Sequence, residues 1–173
     1  MQYVGKEVFF DRNELIVSKT DLKGRLTYAN HTFLEIAGYT EAEVIGQPHN
    51  MIRNSNMPRA VFELLWSTIS KGEELFAYVV NSTKAGDHYW VIAHVTPSLE
   101  DGKIVGYHST RRVPNPDTIK QVIEPLYDQL KSIEDRNPNK KAGIAEATRA
   151  LNEILRDKDV TYSELVASLA KDD

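Results

Sequence analysis

The sequence predicts an α+β fold: a five-stranded antiparallel sheet with short helices on one face, followed by further helices at the C-terminus. Two observations lead to this prediction. Five β-branched or aromatic runs are bounded by turns containing Gly and Asp, whereas apolar residues between the second and third run have helical spacing. Strands, then helices, then strands in direct succession are typical of an antiparallel sheet whose helices group together.

The strands are predicted from runs such as "ELIVSKTD" and "HYWVIAHVTP". They cover residues 14–21, 25–30, 75–83, 88–97 and 103–112. The turn Leu22-Lys23-Gly24 joins the first two strands into a hairpin. Residues 84–87 and 99–102 join the last three strands, and both segments contain the Gly and Asp that tight turns require.

Two short helices are predicted in "HTFLEIAGYTEAEVIG", residues 31–46. The first ends at Gly38. The second begins at Thr40, where Thr40 and Glu43 have the spacing of a capping box, and it ends at Gly46.

A longer helix is predicted from Pro58, a residue that suits a first helical turn, with Asn56 or Met57 as its N-cap. Gly72 ends this helix. Its apolar stripe consists of Phe62, Leu65, Trp66 and Ile69.

The proline-containing segment "RVPNPDT" closes the α+β domain. Three helices are predicted beyond it, at residues 116–135, 142–158 and 161–170, with a kink or restart at Pro125. We therefore divide the chain into an N-terminal cap (1–12), the α+β domain (13–115) and a C-terminal helical extension (116–173).

The composition excludes several classes of function. The 173 residues contain no cysteine, so disulfides, cysteine-ligated zinc, iron–sulfur clusters and a cysteine nucleophile are excluded. Any redox chemistry must therefore be carried by a cofactor that is held non-covalently. The net charge of −4, without long charged runs, argues against nucleic acid as a partner.

Motifs for membrane insertion, secretion and hydrolysis are also missing from the sequence. No apolar stretch approaches the roughly 20 residues that a membrane span needs, and the start lacks the pattern of a signal peptide. We therefore expect a cytoplasmic protein that does not insert into the membrane. Because G-x-S-x-G, H-E-x-x-H and P-loop motifs are absent, we expect a sensor rather than an enzyme.

The segments "LTYAN", "GYTEAEVIGQPHNMIR", "NMP", "TKAGDHYWV" and "GKIVGY" resemble the PAS domain of bacterial aerotaxis and energy-taxis receptors, including their stand-alone cytoplasmic form. The resemblance covers about residues 13–115. It implies a PAS fold, a sensory role in redox or oxygen signalling, and FAD as the non-covalent cofactor. It also implies relay by protein contact to a membrane-bound chemotaxis transducer or another signalling partner.

Through this resemblance, seven residues become candidates for cofactor binding. They are Asn30, His49, Arg53, Asn56, Trp66, Asn81 and His108. Asn81 lies where related light sensors contact the flavin pyrimidine, and His108 lies where they carry a Gln that bonds the ring. Arg53 can grip a phosphate in bidentate fashion.

Each candidate also has a structural explanation. Asn30 and Asn56 suit helix caps, Asn81 can cap a turn, and Arg53 can be solvated. Trp66 belongs to the apolar stripe of a helix, where it can pack in the core or stack near the cofactor rings. His49 can orient its loop by hydrogen bonding, and His108 can bond the backbone of the sheet.

Strand alternation assigns faces to these residues. If Asn81 points inward, Trp90 and Ile92 point outward, where they form a candidate surface for a homodimer or for packing under a terminal helix.

Two alternatives to a flavin stay open. One is a gas sensor that binds haem b through His49, His88, His94 or His108, and the other is a cofactor-free PAS interaction module.

Overall fold

The computed structural model describes residues 3–170. Five strands form one antiparallel sheet in the order β2-β1-β5-β4-β3, which confirms the predicted sheet. The strands are β1 (Ile16–Asp21), β2 (Leu26–Ala29), β3 (Leu75–Ser82), β4 (His88–Glu100) and β5 (Lys103–Arg112). β4 runs on to the two-residue turn at Asp101 and Gly102, which both have positive φ and so match the right-handed twist of the hairpin.

The α-helices lie within a few residues of the predicted segments, and the structure adds a short 3₁₀ helix that the spacing does not predict. Before β3 they are α1 (His31–Ala37), α2 (Glu41–Val44), a 3₁₀ helix (His49–Ile52) and α3 (Arg59–Ile69). After β5 they are α4 (Pro116–Thr118), α5 (Glu124–Arg136), α6 (Lys140–Asp157) and α7 (Tyr162–Leu169). A π-helical segment, Ile119–Ile123, joins α4 to α5 just before Pro125, where a proline removes one backbone donor from the helix.

The predicted limits of the first helix and the predicted start of the second are confirmed, whereas α2 ends at Val44, with Ile45 as its C-cap, before the predicted Gly46. Asn30 caps α1, because its Oδ1 accepts the Phe33 N–H at 3.0 Å. Gly38 ends α1 in the left-handed conformation, with φ of 75°. Thr40 and Glu43 form the expected capping box of α2.

The predicted N-cap of α3 is wrong. Pro58 occupies the N-cap position, not Asn56 or Met57, and its side chain cannot cap the helix. A carboxylate from the C-terminal extension does so instead: Glu134 Oε1 accepts the Ala60 N–H at 2.8 Å, and Glu134 is 8% exposed. A negative charge at this position also complements the dipole of α3.

The C-terminal extension packs on the sheet face opposite to α1–α3 and around its β3 edge. Trp90 points outward as predicted, but it is 4% exposed because it packs beside Tyr127, with ring centroids 6.0 Å apart. The Tyr127 hydroxyl donates to the Tyr78 carbonyl at 2.6 Å and lies 2.8 Å from the Tyr162 hydroxyl. Of the two roles considered for Trp90, packing under a terminal helix is therefore the one observed.

One hydrophobic core spans the sheet and the extension. It continues from Ile16 and Phe33 in the first half of the chain to Leu130, Leu151 and Val166 in α5, α6 and α7. Within residues 3–170, no helix is long and apolar enough to cross a bilayer.

Replacing Glu134 with Ala is expected to lower the free energy of unfolding by about 1–2 kcal/mol, because the buried N–H of Ala60 loses its acceptor. Urea denaturation of the full chain measures this loss. Glu153→Ala, which removes an exposed carboxylate from α6, is the control and should stay within about 0.5 kcal/mol of the parent. Equal effects of the two substitutions would contradict the capping role.

Candidate functional site

A cavity of about 320 Å³ lies between α3 and the sheet face that carries Asn81. Its apolar lining includes Leu65 and Ile69 from α3 and Val79, Ala93 and Val95 from the sheet. An apolar lining contributed from two sides suits an aromatic ring system.

Strand register sets which polar side chains face the cavity. Asn81 pairs with Tyr89 across β3 and β4, and Ala93 pairs with Arg111 across β4 and β5. Because alternate residues of a strand share a face, Ser109 points to the same side as Arg111. We call the cavity-lining side chains of Ser18, His49, Asn81, Ser109 and Arg111 the polar floor.

Three atoms of the polar floor are buried without a hydrogen-bond partner among the described residues: Asn81 Nδ2, Ser109 Oγ and Arg111 Nη1. The Tyr89 hydroxyl beside them is in the same state. Burial raises the Tyr89 pKa to about 12, against the lowering influence first of Arg111 and then of a side-chain contact from Asn81 that falls short of hydrogen-bond geometry. Each unmatched group costs about 1–3 kcal/mol, so the cluster points to a ligand that supplies the missing partners.

Arg111 holds the polar floor together. Its Nη2 donates to Ser18 Oγ at 2.7 Å and to His49 Nε2 at 2.6 Å, and the residue is 3% exposed. Burial and the neighbouring Arg111 lower the pKa of His49 to about 3, so this imidazole is neutral and accepts. Burial lowers the pKa of Arg111 only to about 10, so the cavity keeps a positive charge at neutral pH.

The loop "GQPHNMIRNSNMP" brings His49 and Arg53 to the cavity. Its backbone is tied to the sheet at Arg53, which forms a β-bridge with Asn81, and at His49, whose N–H donates to the Gly24 carbonyl at 2.8 Å. Asn54 adds a side-chain bond from Nδ2 to Ser82 Oγ at 3.0 Å. This loop is therefore an ordered wall of the cavity.

The Arg53 side chain lies at the cavity mouth. Its guanidinium stacks on the Phe62 ring, 4.5 Å from the centroid, and its Nη2 donates to the Met57 carbonyl at 3.2 Å. Burial, then the nearby Arg59, lower the Arg53 pKa, while Glu134 acts to raise it.

Two of the seven sequence candidates do not line the cavity. The Asn30 side chain caps α1 and also binds the backbone near the start of β1. Its Oδ1 accepts the Val17 N–H as well, and its Nδ2 donates to the Leu15 carbonyl. The Asn56 N–H donates to Asn54 Oδ1, within the turn that leads to α3. Both residues therefore act outside the cavity, in shaping its surroundings.

The other five candidates border the cavity: His49, Arg53, Trp66, Asn81 and His108. The resemblance predicts that the side chain of His108 points into the cavity, toward the ring, and this prediction is wrong. His108 alternates with Tyr107 and Ser109, so its ring points to the opposite face, where it pairs with Lys19 across β1 and β5. Partial burial and then Lys19 and His94 lower its pKa. A single-residue offset moves a side chain to the other face, and the β5 side chains that face the cavity are those of Tyr107, Ser109 and Arg111.

Trp66 lies at the cavity mouth and not in the core. It is 41% exposed, and its ring meets that of Tyr107 edge-on with centroids 5.5 Å apart. Only Leu65 and Ile69 of the predicted stripe are buried. Trp66 is thus available to contact a ligand in the cavity.

The comparisons with known proteins agree with this architecture. The family profile described as "PAS fold" matches residues 26–111. The chain belongs to the PAS family. The light-state structure of the blue-light photoreceptor Aureochrome1 LOV shares the fold, with a TM-score of 0.57 and 23% identity over 64% of this chain and 89% of that one.

Two curated relatives extend the comparison. Over 115 residues, 66% of this chain, the PAS protein is 46% identical to the aerotaxis receptor of Escherichia coli (strain K12). Over 103 residues, 59% of this chain, it is 26% identical to the nitrogen fixation regulatory protein of Klebsiella pneumoniae. The chain spans only 22% and 21% of these relatives' lengths.

The histidines considered for haem are engaged or face away from the cavity. His49 Nε2 accepts from Arg111. His88 stacks on Tyr3 and His94 on Phe76, on strand positions that alternate away from Asn81. Among residues 3–170, no group of three His, Asp or Glu side chains is placed to hold a metal ion.

The neutral state of His49 predicts a pH dependence of stability. An unfolded His titrates near 6.5, whereas folded His49 has its pKa lowered to about 3. The unfolded chain therefore binds more protons between these values. The stabilisation is fully present above about pH 6.5 and is lost as pH falls, by at most about 1.4 kcal/mol per unit.

His49→Gln keeps an acceptor near Arg111 but does not titrate. Urea denaturation at about pH 7 and about pH 5 should show a smaller loss of unfolding free energy for this variant than for the parent. His31→Gln is the control, because the His31 side chain is 90% exposed and should leave the loss unchanged. An unchanged loss in His49→Gln would show that His49 does not titrate as described.

Proposed function

We propose that this PAS protein is a cytoplasmic redox sensor that holds FAD non-covalently and passes its state by contact to a chemotaxis transducer or other signalling partner. The observation that carries the proposal is the set of unmatched polar atoms on the floor of an apolar cavity. The similarity to an aerotaxis receptor supports the sensory role.

The donor set matches the chemistry of a flavin ring. The amide of Asn81 can both donate and accept, as the alternating carbonyls and N–H of a pyrimidine edge require, and Ser109 can do the same with one hydroxyl. Leu65 and Ile69 on one side, with Val79 and Val95 on the other, would hold the ring by dispersion and burial.

A bound flavin supplies reversible reduction, which adds a proton or a negative charge to the ring. Arg111 would stabilise added negative charge, because its guanidinium is a buried cation in a region of low dielectric. His49 and Ser18 position that guanidinium by accepting from its Nη2, so that Nη1, unpartnered among residues 3–170, would be available to the flavin.

The two alternatives are less well supported by the site. A haem needs an imidazole nitrogen at the iron, and the cavity-facing His49 uses its Nε2 to accept from Arg111. A cofactor-free interaction module gives no reason for buried unmatched donors on the cavity floor.

Absorbance of the purified full chain, before and after addition of FAD, tests the proposal. We expect flavin bands, and we expect Asn81→Leu to weaken FAD binding by about tenfold or more, because one polar partner of the ring is replaced by an apolar group. Asn152→Ala, on the exposed face of α6, should bind FAD as the parent does.

Protein that stays colourless after reconstitution would overturn flavin binding. A Soret band in the purified protein would select the haem alternative. Asn81→Leu with the affinity of the parent would remove Asn81 from the site while leaving the cofactor in place.

Strand β3 is the route by which we infer that the site communicates with the extension. Asn81 faces the cavity, while the Tyr78 carbonyl on the same strand accepts from Tyr127 of α5. Tyr127 in turn meets Tyr162 of α7, which packs on β3. A change in how Asn81 is bonded is thus transmitted to a buried hydrogen-bond network. Allosteric coupling of this kind is typically worth about 1–3 kcal/mol.

Hydrogen exchange of α5 and α7 in oxidised and reduced protein tests this route. The parent should show a difference between the two states, and Tyr127→Phe, which removes the bond to the Tyr78 carbonyl, should reduce that difference by about half or more. Tyr28→Phe is the control, since Tyr28 is 44% exposed. A parent protein without any difference, or a Tyr127→Phe variant with the full difference, would contradict the route.

A further inference from the structure

A second cavity, of about 500 Å³, adjoins the first. The two share Asn50, Arg53, Arg59 and Ile144 in their linings. The second cavity lies between the Asn50–Arg59 segment and the C-terminal extension, which contributes residues from both α5 and α6. We call it the outer chamber.

Charged side chains dominate the outer chamber. Four cations line it: Arg53, Arg59, Lys131 and Lys140. Two carboxylates, Glu134 and Asp135, line it as well. The excess of cations predicts an anionic ligand.

Both carboxylates are already committed to partners within the protein. Asp135 holds Lys131, with Nζ–Oδ distances of 2.5 and 2.6 Å, and Glu134 accepts the Ala60 N–H at 2.8 Å. Arg59 and Lys140 are exposed at the chamber, while Arg53 is half-buried. The charged groups of the chamber that are available to a ligand are therefore positive.

The two arginines lie close enough to repel each other. Burial is the largest cause that lowers the pKa of Arg53, and the charge of Arg59 is the second largest. Arg53 also borders both cavities, between the polar floor and the outer chamber. An anion bound between the guanidiniums would relieve this repulsion, and a diphosphate has the charge and the acceptor oxygens to do so.

We propose that the outer chamber binds the diphosphate and adenosine half of the dinucleotide, so that α5 and α6 of the C-terminal extension form part of the cofactor site. This inference rests on the proposed function, because the flavin ring would occupy the adjoining cavity. It assigns a ligand-binding role to Arg59, which borders both cavities, and to Lys140, which lines only the outer chamber.

Two properties follow from this arrangement. The site should prefer FAD to FMN, because FMN lacks the second phosphate and the adenosine that the outer chamber would hold. FAD should also stabilise the docking of the extension, because a ligand that contacts both parts favours the state in which they are joined.

Equilibrium binding of FAD and FMN to the full chain tests the inference. The double variant Arg59→Ala/Lys140→Ala should bind FAD about tenfold or more weakly, and its FMN affinity should fall several-fold less, because Arg59 also borders the ring cavity and can meet the single phosphate of FMN, whereas Lys140 lines only the outer chamber. Retained FMN binding also reports that the variant is folded. The matched control is Arg149→Ala/Lys141→Ala, which removes two exposed α6 cations that do not line the chamber.

Hydrogen exchange supplies a second measurement. FAD, but not FMN, should slow exchange in α6 of the parent, and the double variant should lose this protection while the control keeps it. Unchanged FAD affinity in the double variant, equal loss of FAD and FMN affinity, or equal parent affinities for both flavins would overturn the outer chamber alone. A parent that binds neither flavin would overturn the proposed function together with this inference.

Discussion

The buried guanidinium of Arg111 is the interaction on which the site depends. It joins three parts of the chain, because it extends from β5 and donates to Ser18 of β1 and to His49 of the loop. Burying such a charge is costly unless its donors are matched, and Nη2 is matched only because the loop closes over the sheet at His49, while Nη1 has no partner among the described residues. The cavity, its polar floor and its positive charge follow from that closure.

Long-range contacts give the C-terminal extension a structural role beyond covering the sheet. Glu134 completes the first turn of α3, and Tyr127 bonds the backbone of β3 from the opposite face. Both elements border the cavity on one side and the extension on the other. A ligand that changed the packing of α3 or β3 would therefore act on elements that contact the extension.

The PAS family shares this scaffold across receptors and regulatory proteins of different lengths, and the present chain matches about a fifth of two of them. Function in such folds lies in the side chains of the cavity and not in the fold itself. Here an apolar cavity adjoins a cationic chamber that is partly built from α5 and α6.

The sequence by itself determined the strands, the turns, the caps at Asn30 and Thr40, and the PAS family, because each depends on spacing and on residue chemistry within a few positions. It also indicated Asn81 and Arg53. Only the tertiary structure decided that Arg111 and not His108 faces the cavity, since one residue of register reverses a strand's faces. The cap from Glu134 and the chamber beside α6 likewise join residues far apart in the chain, which no local pattern can bring together.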